Sequence, residues 1–293
     1  MTTPPIPLEA RIAADATCGD GTDLEPVTDR RGCAVWKATG PLRCAALKYG
    51  AGPEGTVIVL RESAAVAGIL GDSAVMAQGR SPGGAWMITA WHDGPSTRQL
   101  LAGVRDGTTD LAAARDAMVS VCEAVAALHS DGWVHGDIQP DHMVHTADGV
   151  RFLDCSWAWH PLSLGPSNLF RGGLPHLLAP ELAWKVHRGH RPVVVTATDE
   201  VYTLAASLWW AVADEWPLSY AEAAVDPRAL DAAGLRHAIA TRGIPVRPAT
   251  VWPAAQDVLA HVLAQPDYRR PSASDLAALL RTALVDEPVT ASA

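Results

Sequence analysis

The sequence lacks the features that mark membrane, secreted or nucleic-acid-binding proteins. Its longest apolar run, residues 201–213, is interrupted by Thr203 and Ser207 and is too short to span a bilayer, so it predicts a buried helix. The first residues contain neither a basic stretch nor an apolar core, so we expect no signal peptide. The formal net charge of −9 argues against nucleic acid as the main partner. We therefore expect no nucleic-acid and no membrane partner.

Cysteine is also scarce and has no metal-binding spacing. The five cysteines are odd in number and include no C-x-x-C pair, which favours free thiols in a reducing cytoplasm. Apolar residues, in contrast, make up 48% of the 293 residues, enough for one large core or two modest ones. Abundant Ala, Gly, Pro and Trp with few Lys is typical of a high-GC bacterial genome. The composition therefore predicts a folded bacterial protein with a cytoplasmic location.

The first third of the chain predicts a small β-rich region. Residues 1–25 are rich in Pro and Asp and are expected to be loosely ordered. Apolar residues at helical spacing predict one helix at residues 56–70. Alternating apolar residues between turn residues predict four strands, at residues 32–38, 42–49, 73–78 and 85–91.

The remainder of the chain predicts a larger helical region. The sequence His-Asp-Gly-Pro at residues 92–95 is expected to be the hinge between the two regions. Helices are predicted at residues 110–130, 198–214, 252–264 and 274–284, and the tail at 286–293 is expected to fray. We therefore predict an α+β chain with an N-terminal lobe at 26–93 and a mostly helical C-terminal lobe at 94–285.

Two short motifs supply the carboxylates that phosphoryl transfer needs. The first is His-Gly-Asp-Ile-Gln-Pro-Asp-His at residues 135–142, and the second is Leu-Asp-Cys-Ser at residues 153–156. In the first, Asp137 can orient an acceptor hydroxyl and accept its proton. In the second, Asp154 can hold Mg²⁺ against the β- and γ-phosphates of ATP. Upstream, Lys48 lies in a predicted strand and Glu62 in the predicted helix.

The order of these motifs resembles the protein kinase superfamily over about residues 30–285. The resemblance implies a two-lobed protein-kinase-like fold that binds ATP in a cleft near residues 91–94. It assigns phosphate binding to Lys48, paired with Glu62, the acceptor role to Asp137 and the metal to Asp154. The remaining nucleotide contacts that it implies are Gly32, Trp91, His92 and Gly94.

The chain departs from the family pattern at three places. His142 stands where the family has the asparagine that holds a second Mg²⁺ and is the candidate second metal ligand. Its imidazole nitrogen either weakens that metal site, favours Mn²⁺ or leaves the duty to Asp141. Cys155 and Ser156 replace the Phe-Gly that follows the metal-binding aspartate, which restricts the backbone but keeps the carboxylate. The glycine-rich loop at residues 31–36 keeps only Gly32.

The second half of the pattern is better kept. Residues 173–181 resemble the substrate-side segment that ends in Ala-Pro-Glu, and its Glu181 is expected to pair with Arg270. Asp199 is expected to start a buried central helix and to brace the loop that carries Asp137. These features favour the protein kinase branch over the aminoglycoside phosphotransferase branch. The basic cluster at residues 185–191 is either a solvated loop or a dock for an acidic peptide.

Three functions follow from the resemblance. The first is ATP-dependent phosphorylation of a hydroxyl, most simply Ser or Thr of a protein or of a precursor peptide in lanthipeptide-like maturation. The second is a pseudokinase that binds a protein partner without turnover, which the departures from the pattern favour. The third is a small-molecule kinase. Retention of Lys48, Asp137 and Asp154 favours an active enzyme.

Overall fold

The computed structural model describes residues 5–30 and 32–284, which form an α+β fold of two compact units. The first unit comprises the described residues up to His92 together with Asp154–Gly165. The second unit comprises Asp93–Leu153 and the described residues from Pro166 onward. The division between His92 and Asp93 lies in the segment predicted to separate two lobes. Within the described ranges, no helix is long and apolar enough to cross a membrane.

The first unit is built on an antiparallel sheet of strand order β1-β2-β3-β5-β4. Its helices are α1 (Leu8–Cys18) and α2 (Gly52–Leu70). Its strands are β1 (Asp23–Arg30), β2 (Cys33–Thr39), β3 (Cys44–Ala51), β4 (Val75–Ser81) and β5 (Gly84–Ala90). The four predicted strands and the predicted helix are therefore present, with ends shifted by a few residues.

The prediction that residues 1–25 are loosely ordered is wrong for the part of this segment that the structure describes. Helix α1 packs Ala10, Ala14 and Cys18 against the sheet, and β1 begins at Asp23. The buried face of α1 is made of small residues, so the helix carries a weak apolar signal. Strand β1 is a mostly exposed edge strand containing Pro26, which edge positions tolerate and which hides the strand from pattern analysis.

The second unit is mostly helical and is centred on the helix Ala197–Ala213, in which 13 of 17 residues are buried. Its one described hairpin pairs β6 (Met143–Thr146) with β7 (Gly149–Phe152). The predicted helices are present as α4 (Leu111–Ser130), α6 (Ala197–Ala213), α8 (Pro253–Ala264) and α9 (Ala273–Ala283). Three helices that the sequence did not predict are α3 (Thr97–Ala102), α5 (Pro180–His187) and α7 (Ala232–Thr241).

The predicted domain boundaries need one correction. Residues 154–165 were assigned to the C-terminal lobe, but they belong to the first unit. The reason is a pair of hydrogen bonds to α2: Ser156 donates to Glu62, and Arg61 donates to the carbonyl of Ala158 at 3.1 Å. The predicted fraying of residues 286–293 lies outside the described residues. The five cysteines all lie within the described residues, and none of them forms a disulfide.

Candidate functional site

The first unit contains a buried ion-pair cluster centred on Lys48. Leu47 and Tyr49 of β3 pack into the core beneath α1, so the alternation of a strand directs Lys48 to the opposite face of the sheet. There its Nζ lies 2.5 Å from Oε2 of Glu62, which extends from the buried face of α2. The same Nζ lies 2.7 Å from Oδ1 of Asp154. The predicted pair is thus present, with Asp154 as a second partner of the ammonium.

The electrostatics of this cluster hold Lys48 in its charged form. Burial lowers the pKa of the Lys48 ammonium, but the carboxylates of Glu62 and Asp154 outweigh burial and raise the pKa above its usual value. The ammonium therefore remains a fixed positive charge at physiological pH. A compact cation that is held by two carboxylates is suited to binding phosphate oxygens, and the second carboxylate is suited to a hard divalent cation.

In the predicted glycine loop, Gly32 lies between β1 and β2, and residues 33–36 form the start of β2. Gly32 has φ 75°, a conformation that favours glycine, and its carbonyl accepts a hydrogen bond from the N–H of Ala51 at 2.8 Å. Next to it Cys33 is buried, and burial raises the pKa of its thiol to about 11 although Lys48 acts in the opposite direction. The thiol is therefore neutral at physiological pH. Arg31 lies outside the described residues.

The residues at 91–94 that are predicted to contact the nucleotide are divided between the two units. Trp91 follows β5, and the Nζ of Lys37 lies 4.8 Å from the centroid of its ring. His92 is the last residue of this stretch in the first unit. Gly94, in the second unit, has φ 151°, and a Cβ there would lie only 2.0 Å from the carbonyl oxygen of His145. Gly94 thus has a packing role, and nucleotide contact by these residues stays a prediction.

The loop at residues 135–142 places the Asp137 carboxylate among polar partners in the second unit. Asp137 is 7% exposed, and its Oδ1 accepts a hydrogen bond from Nε2 of Gln139 at 2.8 Å. Gly173, in the segment predicted to be on the substrate side, has φ 59°, and a Cβ there would lie 2.6 Å from the same oxygen. The backbone of that segment thus passes directly beside the carboxylate.

His135 is the first residue of this loop and is fully buried. Its Nδ1 accepts the N–H of Asp137 at 3.3 Å, and its Nε2 lies 3.1 Å from the carbonyl oxygen of Leu153. These contacts place the ring proton on Nε2, so that both nitrogens are used to fix backbone. The contacts of His135 therefore give it an architectural role in this loop.

The residue at the predicted second metal position is also held by backbone. Nδ1 of His142 lies 3.0 Å from the carbonyl oxygen of Asp137, so Nδ1 carries the proton and the lone pair is on Nε2. Nε2 is therefore the ring atom that could bind a metal ion, and a nitrogen ligand suits Mn²⁺ better than Mg²⁺. Asp141 is exposed, and its Oδ1 accepts from Oγ of Ser96 at 3.3 Å.

The prediction that Asp199 braces the catalytic loop is wrong, because the neighbouring Glu200 does so. Oε1 of Glu200 accepts the N–H of Gly136 at 2.6 Å, and Oε2 accepts the N–H of His135 at 3.2 Å. Asp199 instead caps α6 through the N–H of Thr196 and forms an ion pair with Lys185 at 3.0 Å. Glu200 is thus a site residue that the sequence did not reveal.

The predicted pair of Glu181 and Arg270 is confirmed. The guanidinium of Arg270 is bidentate on the Glu181 carboxylate, and it also donates to the carbonyl of Thr198 at 3.2 Å. This pair ties α5, which follows the substrate-side segment, to the start of α6 and to the residues before α9. In the basic cluster at 185–191, the charge of Lys185 is met by Asp199, and the guanidinium of Arg188 lies 5.7 Å from the ring centroid of Trp184.

A neutral histidine in the substrate-side segment gives a pH prediction. His176 stacks on Trp216 at a centroid distance of 4.2 Å, and its Nδ1 lies 2.8 Å from the hydroxyl of Tyr220. Burial lowers the pKa of His176 to about 4, so the unfolded chain, with a pKa near 6.5, binds more protons between these values. The contribution of His176 to stability is therefore complete above pH 6.5 and decreases as the pH falls towards 4.

We accordingly expect the wild-type protein to lose about 1–2 kcal/mol more stability than His176→Gln between pH 7.5 and pH 5, after discounting for partial exposure. Urea unfolding at the two pH values measures the difference. Parallel pH dependences for the two proteins would show that the imidazole is solvated enough to titrate normally.

Comparison with known proteins adds no family to this description. None of the protein-family models searched matches the chain, and none of the curated proteins matches it.

Proposed function

We propose that the chain is an ATP-dependent phosphotransferase with a protein-kinase-like fold that acts on a hydroxyl. The observation that carries the proposal is the buried cluster in which one ammonium, that of Lys48, meets the carboxylates of Glu62 and Asp154. Lys48 and Glu62 are buried, whereas Asp154 is partly exposed, and burying a charged pair costs free energy that apolar residues would not cost. A cluster of this kind is therefore better explained by phosphate and metal binding than by stability.

The proposed metal is held first by Asp154. Its Oδ1 is fixed by Lys48 and by Ser156 at 3.0 Å, so that the orientation of the carboxylate is defined, and carboxylate oxygens are the ligands that Mg²⁺ prefers. His142, in the second unit, stays a predicted ligand on the sequence alone, and an imidazole nitrogen suits Mn²⁺ better than Mg²⁺. When bound, the metal would neutralise charge on the β- and γ-phosphates.

The proposed acceptor group is oriented by Asp137. The acceptor oxygen attacks the γ-phosphorus, the bond to the bridging oxygen of the β-phosphate breaks, ADP leaves, and the acceptor proton passes to the Asp137 carboxylate. The side-chain amide of Gln139, which is uncharged, donates a hydrogen bond to that carboxylate. Gln139 therefore does not cancel the negative charge of Asp137 as an ammonium would.

A peptide or protein is the acceptor that the second unit supports best. The backbone at Gly173 passes directly beside Asp137, and the segment that follows it is anchored through Glu181 and Arg270. An ordered segment beside the carboxylate can present an extended chain, whereas a small metabolite would need no such support. Modification of a precursor peptide is one form of this proposal.

Calorimetry with ATP and either Mg²⁺ or Mn²⁺ tests the proposal. We expect metal-dependent binding by the wild-type protein and at least about tenfold weaker binding by Asp154→Asn, because a charge-assisted metal contact is lost. Asp148→Asn, an exposed carboxylate in the turn between β6 and β7, is the matched control and should bind like wild type. Absence of nucleotide binding with either metal would contradict the enzyme and favour a pseudokinase that binds a partner.

A further inference from the structure

Ser156 is the member of the cluster around Lys48 to which the proposed function assigns no contact with nucleotide or metal. It is 2% exposed and lies in the short helical turn Cys155–Trp157 that follows Asp154. Its Oγ donates to Oε2 of Glu62 at 2.6 Å and lies 3.0 Å from Oδ1 of Asp154. These are the same two oxygens that Nζ of Lys48 contacts. Four atoms thus form a closed ring: Nζ of Lys48, Oε2 of Glu62, Oγ of Ser156 and Oδ1 of Asp154.

The ring has a consequence for the backbone of Asp154. This residue has φ 56° and ψ 52°, a left-handed conformation that is unfavourable for residues other than glycine by about 1 kcal/mol. The ion pair with Lys48 offsets that cost, and the Ser156 hydroxyl, whose one hydrogen is shared between Glu62 and Asp154, helps to fix where the carboxylate points. With a glycine in place of Ser156, Lys48 would be the one residue of the ring still in contact with Oδ1 of Asp154.

A second contact joins the same two elements. Arg61, the neighbour of Glu62 on α2, donates from its guanidinium to the carbonyl of Ala158 at 3.1 Å. Two consecutive residues of α2 therefore contact the segment that follows Asp154: Glu62 at Ser156 and Arg61 at Ala158. In both contacts the donor and the acceptor are protein atoms, so neither contact needs a nucleotide or a metal as a bridge.

We infer that Ser156 is a positioning residue that keeps Glu62 and Asp154 assembled on Lys48 before any ligand binds. The inference rests on the proposed function for its assumption that the cluster binds nucleotide and metal. The contacts that hold the cluster together are between protein residues. The site consequently needs no activating modification or partner to bring α2 and the Asp154 segment together. The hydroxyl supplies a connection that a glycine at this position lacks.

The test compares Ser156→Ala with Ser63→Ala. Ser63 is also a buried serine of the first unit, and its Oγ donates to Oε1 of Gln78 at 2.5 Å, outside the ring. Both variants lose one buried hydroxyl from the first unit. In calorimetry with Mg·ATP, we expect Ser156→Ala to raise the dissociation constant about tenfold at unchanged stoichiometry, because a hydrogen bond to charged groups is lost. Ser63→Ala should leave the dissociation constant within about twofold.

The stoichiometry separates positioning from damage to the fold. Partial unfolding lowers the number of sites and leaves the affinity of the remaining sites unchanged. A fall in stoichiometry with an unchanged dissociation constant in Ser156→Ala would therefore overturn the inference. In a Glu62→Gln background, Ser156→Ala should have less than half of its effect on the logarithm of the dissociation constant. Equal effects in the two backgrounds would also overturn it.

Hydrogen exchange of the ligand-free protein keeps the inference testable if the proposed function fails. We expect faster exchange in the segment after Asp154 in Ser156→Ala, by about tenfold or more, and unchanged exchange there in Ser63→Ala. If wild type binds no nucleotide but this difference appears, the proposed function is wrong and the positioning role stands. If exchange is the same in both variants, the positioning role is wrong whatever the protein binds.

Discussion

Replacing Asp137 with Asn is expected to lower turnover by about 100-fold or more while the affinity for Mg·ATP changes by less than about threefold. The reason is that the Asp137 carboxylate would act on the acceptor hydroxyl, whereas the phosphates and the metal are assigned to Lys48 and Asp154. An amide of the same shape can still be held by Gln139, but it accepts no proton from the acceptor. The variant therefore removes the chemistry with little change to the packing of the loop.

Turnover can be followed before the acceptor is identified, as metal-dependent hydrolysis of ATP with water in place of the acceptor hydroxyl. Asp131→Asn is the control, since Asp131 is an exposed carboxylate at the end of α4, close to the loop in sequence. A hydrolysis rate in Asp137→Asn within a few-fold of wild type would contradict the acceptor role. Loss of nucleotide binding in the same variant would instead assign Asp137 to the metal.

The sequence was sufficient to predict the elements that carry the lysine cluster. Lys48 lies in a segment whose apolar residues alternate and Glu62 in one with apolar residues at helical spacing, and both patterns are local. The order of the motifs then indicated that the two residues meet. Because that order is a property of the whole chain, it was informative even though the glycine loop and the residues after Asp154 depart from the family pattern.

The sequence was insufficient where a contact depends on tertiary structure. Ser156 could be interpreted as a lost glycine, but its hydrogen bond to Glu62 spans 94 residues of sequence and has no local signal. Helix α1 was missed because it packs through Ala10 and Ala14, which are too small to mark an apolar face. In each case the missing information was the identity of the packing partner.

The two adjacent carboxylates at the start of α6 are another case in which the sequence does not show which residue makes a contact. Both Asp199 and Glu200 are 1% exposed, and neighbouring residues of a helix point about 100° apart. A motif can predict that a carboxylate starts this helix, but the rotation of the helix decides which one faces the loop. Here the longer side chain, Glu200, reaches the loop, and the shorter one caps its own helix.

Replacing Glu200 with Gln is expected to destabilise the protein by about 2–4 kcal/mol and to free the backbone of the loop at residues 135–142. Each carboxylate oxygen of Glu200 accepts one buried backbone N–H, from His135 or from Gly136, and Oε2 also lies 2.8 Å from Nε2 of His129. A glutamine has one acceptor oxygen, so its amide group must face one of these donors. A buried N–H without an acceptor costs about 1–3 kcal/mol, and the lost contact to His129 adds to this.

Asp199→Asn is the matched comparison, because it makes the same chemical change one residue earlier in the same helix turn. That variant weakens the ion pair with Lys185 and the cap of α6, so it also lowers stability, but it leaves the loop N–H groups bonded. Urea unfolding measures the stability of both variants, and hydrogen exchange of the amides at residues 135 and 136 locates the effect. We expect faster exchange at these two amides in Glu200→Gln alone. Faster exchange there in Asp199→Asn, with wild-type exchange in Glu200→Gln, would restore Asp199 as the brace of the loop.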